Sequence, residues 1–356
     1  MNENYDSTAL LALPKVWEGS VPEKGLLSWS RPYLIDKVRE NGVDVLVARG
    51  ADSFDLENDT VTTSRPEYSR RGEEVEVAIQ DLGSRALDSF GVVRSIIKRI
   101  YPSNSSVPFL NPNSVRELAK DKFDMAHMVL DPTGNYRRKF TYLLPGNNPN
   151  EVAEEVACLP GSQVVAKPIT GKRSEGVFVG QKSDVIGQFN DGVEKGYLVE
   201  EKMNFSVPMP NIRGCDEGEQ RRLDAANHNG VNKEFRLFYF GQDEWDGIAR
   251  IARPGEVDFL DDKWLFVDQD SIPGSLVDRS ATIVNRIRQL VDRQDHDFHL
   301  AIDWVFASTA SDAEPSWRVM EVNAAEPQLV QLTQNLEVGR RQHDKLATQI
   351  SRIALR

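Results

Sequence analysis

Leu300-Ala301-Ile302-Asp303-Trp304-Val305-Phe306 and Trp317-Arg318-Val319-Met320-Glu321-Val322-Asn323 are two strand-length apolar runs that carry acids among oily neighbours. At a side-chain period of two, Glu321 and Asn323 leave the second strand on one face. Asp303 is the lone acid of the first run. Two carboxylates and one amide oxygen on neighbouring strands form a hard-oxygen site suited to magnesium carrying a nucleotide phosphate. A pair of ordinary strands with polar edge residues would give the same pattern, and these residues alone leave both readings open.

The chain has 356 residues, enough for two or three domains and a sizeable core. Its hydrophobic share of 40% and charged share of 28% are those of a soluble globular protein. A net charge of −12 argues against a nucleic-acid partner held by a basic surface, but not against a nucleotide, which needs only a few local cations. Cys158 and Cys215 have neither metal-ligand spacing nor the number for a disulfide framework, so a reducing compartment is expected. No apolar stretch approaches a membrane span, and residues 1–7 lack the basic and apolar parts of a signal peptide. The expectation is a cytoplasmic protein with no membrane partner.

Working outward toward the N-terminus, residues 31–40 read as an amphipathic helix and 43–48 as a buried strand. Residues 52–76 read as a long polar loop, 84–100 as a helix, and the prolines at 102, 108 and 112 mark a domain boundary. Residues 114–129 read as one helix, with Ser114 as N-cap and Glu117 completing a capping box. Strands are expected at 140–144, 163–168, 176–180, 197–201, 235–240 and 247–253, and short helices at 151–158 and 185–193. Residues 204–233 read as a polar insertion, either a lid or a disordered segment. The last helix runs from about Leu336 to the end. His296 and His299 flank an acidic patch that reads as a solvated approach to a strand, and Trp304 and Trp317 read as core.

Val164-Val165-Ala166-Lys167-Pro168 places a lysine in an apolar strand, which is costly unless it meets an anion. Gly171-Lys172-Arg173-Ser174-Glu175-Gly176 follows, a loop whose glycines and Ser174 can bring backbone N–H groups to phosphate oxygens. A charged hairpin with a snorkelling lysine is the plain alternative. The Walker pattern fails because Ala166 and Arg173 stand at two of its fixed positions. No G-x-G-x-x-G opens a helix after the first strand, and no H-R-D or D-F-G follows the lysine strand.

The order of the remaining features is more specific than any one of them. Lys122, Lys167, the 171–176 loop, Glu200-Glu201-Lys202-Met203, Glu234-Phe235-Arg236, Arg250 and Arg253, Asp303 and then Glu321-Val322-Asn323 form a series that resembles the ATP-grasp superfamily over about residues 111–329. The resemblance implies an α/β (α+β) ATP-grasp fold: two α+β subdomains gripping ATP, preceded by an N-terminal α/β domain. The expected boundaries are 1–112 for that domain, 113–200 for the central and lid subdomain, and 201–356 for the C-terminal subdomain with the metal site. The function implied is an ATP-dependent carboxylate–amine ligase working through an acyl phosphate.

The resemblance also implies roles. Lys122 and Lys167 would contact nucleotide phosphates, and the loop with Gly171, Ser174 and Gly176 would cover them. Glu200, Glu201, Lys202 and Met203 would form the hinge that reads adenine, one of the acids holding the amino group or ribose. Asp303, Glu321 and Asn323 would bind magnesium, two ions in all, with manganese as an alternative. Arg236 and Arg253, and less directly Arg250, would meet the γ-phosphate and an acyl phosphate. Partners would be small-molecule or peptide carboxylates and amines, and a homodimer would be unsurprising. The loop carries Lys172, Arg173 and Glu175 where relatives are richer in small residues, and Ala324-Ala325-Glu326-Pro327-Gln328 lacks the glycine of peptide-forming relatives. Transfer to a hydroxyl, or nucleotide binding without turnover, remain open alternatives.

Overall fold

The computed structural model describes residues 7–13, 30–49, 54–55, 60–61, 113–170, 176–205, 217–218, 221, 224, 233–251, 264–266, 273–291, 298–324, 329 and 335–355. The N-terminal elements are β1 (Ser7–Leu13), α1 (Ser30–Glu40), β2 (Val43–Arg49), β3 (Phe54–Asp55) and β4 (Thr60–Val61). Then come α2 (Asn113–Lys120), α3 (Lys122–Asp124) continued by a π-helical turn (Met125–Leu130), β5 (Phe140–Leu143), α4 (Pro149–Ala157), β6 (Gln163–Pro168), β7 (Phe178–Gln181), α5 (Lys182–Gly187) and β8 (Tyr197–Glu201). The rest comprises β9 (Lys233–Tyr239), β10 (Trp245–Ile251), β11 (Trp264–Phe266), α6 (Gly274–Leu290), β12 (Leu300–Ala307), β13 (Ser316–Asn323) and α7 (Leu336–Ala354).

Two antiparallel sheets dominate, one of four strands in the order β5-β8-β6-β7 and one of five in the order β11-β10-β9-β12-β13. The parallel pair β1-β2 packs with α1 and α7, where Ile35, Val38, Val43 and Val45 close on Ala347. The β3-β4 pair falls inside the stretch read as a loop, a correction. The 84–100 helix and nearly all of the 204–233 insertion lie outside the described residues.

The alternation of side chains decides what each sheet face does. On the five-stranded sheet Phe235, Leu237, Tyr239, Leu300, Ile302 and Trp304 face one way and pack with Val115, Val129, Ile283 and Ile287 from α2, the π turn and α6. Each such fully buried side chain contributes about 1.5–3 kcal/mol. Trp304 is core as expected, and its indole N–H donates to Ser280 Oγ at 3.0 Å. The opposite face is apolar at two ends. Phe238, Phe240, Ile248 and Ala301 meet Leu329 and Val338 at one, and Val305 and Ala307 meet Met203 at the other. Arg236 and Asp303 lie between these patches, by strand register. In the four-stranded sheet Val164, Ala166, Tyr197 and Val199 pack with Val152, Val156 and Val185 of α4 and α5, which turns Val165, Lys167, Leu198 and Glu200 to the other face.

The helix expected over 114–129 is interrupted. The Asp121 side chain accepts from the Phe123 and Asp124 N–H groups at 2.9 Å each and starts a new helix there. Ser114 lies inside α2 rather than capping it, while a capping box does occur at Asn148 and Glu151, with Pro149 opening the helix. The helix expected at 185–193 starts earlier and is shorter, at Lys182–Gly187. No helix among the described residues is long and apolar enough to cross a membrane.

His299, read as part of a solvated approach, is buried at the head of β12, with Nδ1 2.9 Å from the Tyr239 carbonyl and its ring 4.8 Å from that of Phe240. His296 lies outside the described residues. Burial pushes the His299 imidazole down to about 4, against the smaller upward pull of that carbonyl. The folded state therefore holds it neutral, while the unfolded chain takes up its proton below about pH 6.5. Stability is lost as the pH falls from about 6.5 toward 4, by up to about 1.4 kcal/mol per unit. Urea midpoints measured at pH 7, 5.5 and 4.5 are expected to fall less steeply in His299→Gln than in the wild type.

Candidate functional site

The face of the four-stranded sheet that carries Lys167 and Glu200 is tied to β13 through Arg138, which donates both to Glu200 and to the Val319 carbonyl. Lys167 projects from β6 and forms an ion pair with Glu200 of β8. Glu200 is 1% exposed and also accepts from Arg138 Nε at 2.8 Å and from the Tyr136 hydroxyl. Burial, the largest influence, pushes its carboxyl up, but Arg138 and Lys167 together with the hydrogen bonds outweigh it and hold the pKa at about 2. Glu200 is therefore a fixed negative charge that orients Lys167.

Lys122 reaches the same place by a backbone route. The Ile169 N–H donates to the Gly196 carbonyl at 3.0 Å, and the Lys122 N–H donates to the Ile169 carbonyl at 3.1 Å, tying the start of α3 to the end of β6. Burial lowers the Lys122 ammonium, and Lys167 lowers it further, while Glu321, Asp121 and Glu200 raise it. Gly196 leaves room for two side chains at this junction: a Cβ there would meet Ile169 Cδ1 at 2.1 Å and the Tyr142 hydroxyl at 2.6 Å. Gly196→Ala is expected to cost about 2 kcal/mol by overpacking, read as a lower urea midpoint at unchanged slope.

On the other side of the cleft, Asp303 stands directly opposite Arg236 of β9 and Glu321 of β13. Arg236 grips Asp303 with both arms of its fork, Nε to Oδ1 at 2.6 Å and Nη2 to Oδ2 at 2.8 Å. The Asn323 amide nitrogen lies 3.1 Å from Asp303 Oδ2, so the two residues do share a face. Water reaches Glu321. Protein nevertheless surrounds it, as befits a group on a cleft wall rather than on the outer surface. That surrounding is the largest influence raising its carboxyl pKa, the nearby Asp303 adds a smaller rise, and Lys122, Lys167 and Arg236 pull it down. Lysines from one side and an arginine from the other thus act on the same carboxylate. Two carboxylates and an amide oxygen fit a hard divalent cation, and the mutual repulsion of Asp303 and Glu321 is what such an ion would relieve.

The two acids of the expected hinge part company. Glu201 accepts from the Lys139 N–H at 2.7 Å and from the Ser311 N–H and hydroxyl at 2.9 and 2.6 Å. Lys202 is exposed and donates to Gln163 Oε1 at 3.0 Å, and Met203 is buried against Val305 and Ala307. Gly176 has φ of +71°, a conformation glycine adopts without strain. Gly171, Ser174 and Arg253 lie outside the described residues, and Arg250 is described only by its register, opposite Glu234 and Trp264. Among the described residues no group of three or more His, Cys, Asp or Glu could hold a metal. The set above has only two acids.

No protein-family model and no curated protein matches the sequence. Solved structures do match. D-cycloserine synthetase has a TM-score of 0.54 at 15% identity, over 97% of this chain and 99% of the other. D-alanyl-alanine synthetase A from Vibrio cholerae has 0.52 at 12%, over 98% and 99%. A Chryseobacterium gregarium RiPP-associated ATP-grasp ligase, solved with ADP and a leader and core peptide, has 0.55 at 15%, over 96% and 95%. The chain has the ATP-grasp fold.

Within this ATP-grasp fold several side chains join the two sheets that sequence reasoning did not single out. Arg138 also donates to the Val319 carbonyl at 3.0 Å and to Met203 Sδ at 3.2 Å, and stacks on Tyr136 at 3.8 Å. Arg318 is fully buried and donates to the carbonyls of Ala307, at 2.9 Å, and Arg137, and to Asp312 Oδ2 at 2.7 Å. The only hint in the sequence is Tyr136-Arg137-Arg138-Lys139, a basic run directly before a strand.

Proposed function

We infer that this chain is an ATP-dependent ligase that joins a carboxylate to an amine. A substrate carboxylate attacks the γ-phosphorus of ATP, giving an acyl phosphate and ADP. The amine then attacks the acyl carbon, phosphate leaves, and an amide or peptide bond results. The observation that carries this reading is the convergence on Glu321 of Lys122, Lys167, Arg236 and Asp303 from both sides of one cleft. Phosphoryl transfer between anions needs that density of positive charge around the oxygens.

Lys122 and Lys167 would bind the nucleotide phosphates, Lys167 being aimed by Glu200. The backbone of residues 200–203 would read the adenine edge, with 171–176 as the cover that keeps water from the acyl phosphate. Arg236, Arg250 and Arg253 would neutralise charge on the transferred group. Asp303, Glu321 and Asn323 would hold magnesium, which when bound neutralises phosphate charge. Residues 1–112, 113–200 and 201–356 would be the three functional divisions. Likeness to two synthetases and a peptide-bound ligase favours ligation over transfer to a hydroxyl.

The test is ADP release from ATP and magnesium with pooled amino acids and small carboxylates, with and without hydroxylamine. ADP together with hydroxamate is the expected result, and splitting the pool then identifies the carboxylate. ADP without hydroxamate would favour a hydroxyl acceptor, and no ADP from any mixture, peptides included, would contradict catalysis.

A further inference from the structure

Arg236 and Asp303 face each other in register on adjacent strands, and the two-point grip between them occupies both oxygens of the carboxylate. Asn323 adds its amide to one of those oxygens. A cation cannot use Asp303 in this arrangement without sharing or displacing a guanidinium. We propose that Arg236 acts as an internal counter-ion, holding Asp303 until a divalent cation takes the carboxylate and frees the guanidinium for the anion that arrives with it. The proposal rests on the assignment of Asp303, Glu321 and Asn323 as cation ligands.

Asp303 is 2% exposed and Arg236 9%, so neither can be left alone in the cleft wall at low cost. Each needs a partner of opposite sign at every stage. A divalent cation and a phosphate arriving together supply one new partner apiece, so the pair can open without stranding either charge. A divalent cation alone would take from Arg236 its two-point partner, and a nucleotide that drew Arg236 away would take from Asp303 its guanidinium. The pair therefore couples the two ligands, and the coupling acts equally in both directions.

Arg236→Lys is the discriminating variant because it keeps the charge and loses the fork. Manganese binding is measured by the paramagnetic signal of free Mn2+, with and without ADP. Without ADP, the variant is expected to bind Mn2+ roughly tenfold more tightly than the wild type, since a single ammonium contact competes less well for the carboxylate than a charge-assisted fork. An unchanged or weaker affinity, with the wild type still binding Mn2+ when ADP is present, would overturn the counter-ion role and leave the metal assignment standing. Absence of Mn2+ binding in both proteins, with and without ADP, would overturn the metal assignment and the counter-ion role with it. Should the lysine variant not fold, the Arg236 Nε–H resonance of the wild type serves instead. Release from Asp303 predicts that magnesium and ADP together shift it while neither alone does, and an unmoved resonance overturns the proposal.

Discussion

Glu321→Ala is expected to lower ATP turnover about a thousandfold, the loss that follows when several kcal/mol of transition-state charge stabilisation is removed. The fold should survive. Burial and then Asp303 raise the Glu321 carboxyl pKa, so at neutral pH its charge is held at a cost to the folded state. Removing it relieves that repulsion, and the thermal midpoint is expected to stay level or rise slightly. Because water reaches the group, no larger gain is expected. A steady-state ADP assay beside a melting curve checks both halves. Near-normal turnover would remove Glu321 from the machinery, and a large fall in midpoint would make its role structural.

Glu200→Gln is expected to be the most damaging change to stability, at about 3–5 kcal/mol, because it leaves the buried Arg138 guanidinium without its counter-charge. Lys167 loses its partner in the same stroke, so weaker ATP binding should accompany the loss. The same group sets a pH dependence. Its folded pKa of about 2 lies below the unfolded value of about 4.3, so its contribution is complete above about 4.3 and disappears as the pH falls through 2. Urea unfolding of wild type and variant at pH 7 and pH 3 should show the gap between them narrowing in acid. A gap that stayed constant would assign the cost to lost packing rather than to charge.

Much of this was legible in the residues because it obeys a period. β6, β8, β12 and β13 are continuous apolar runs with one or two charges each, and a charge in such a run must face a cleft or a partner. Lys167, Asp303 and Glu321 were found that way. The order of the motifs carried the fold, although no single motif would have. What was not legible lies where the chain has no period. Arg138 and Tyr136 sit in a bend that turns through Arg137 at φ of +51°, and nothing in 135–139 shows that Asn135, Tyr136 and Arg138 would all be buried. Asp121 looked like one more polar position on a helix, whereas its carboxylate caps a new one. His299 looked solvated because its neighbours in sequence are acidic. Its neighbours in space are Phe240 and the Tyr239 carbonyl. That Arg236 and Asp303 would meet depends on strand order, β9 beside β12, which the sequence does not state.

A crystal structure with ADP and magnesium would show at once whether nucleotide and cation enter the cleft between the two sheets. Phosphates are expected against Lys122 and Lys167, adenine along residues 200–203, and magnesium held by Asp303, Glu321 and Asn323 with Arg236 turned away from Asp303. Nucleotide bound outside the cleft between the two sheets, or magnesium seated without these three residues, would contradict that arrangement.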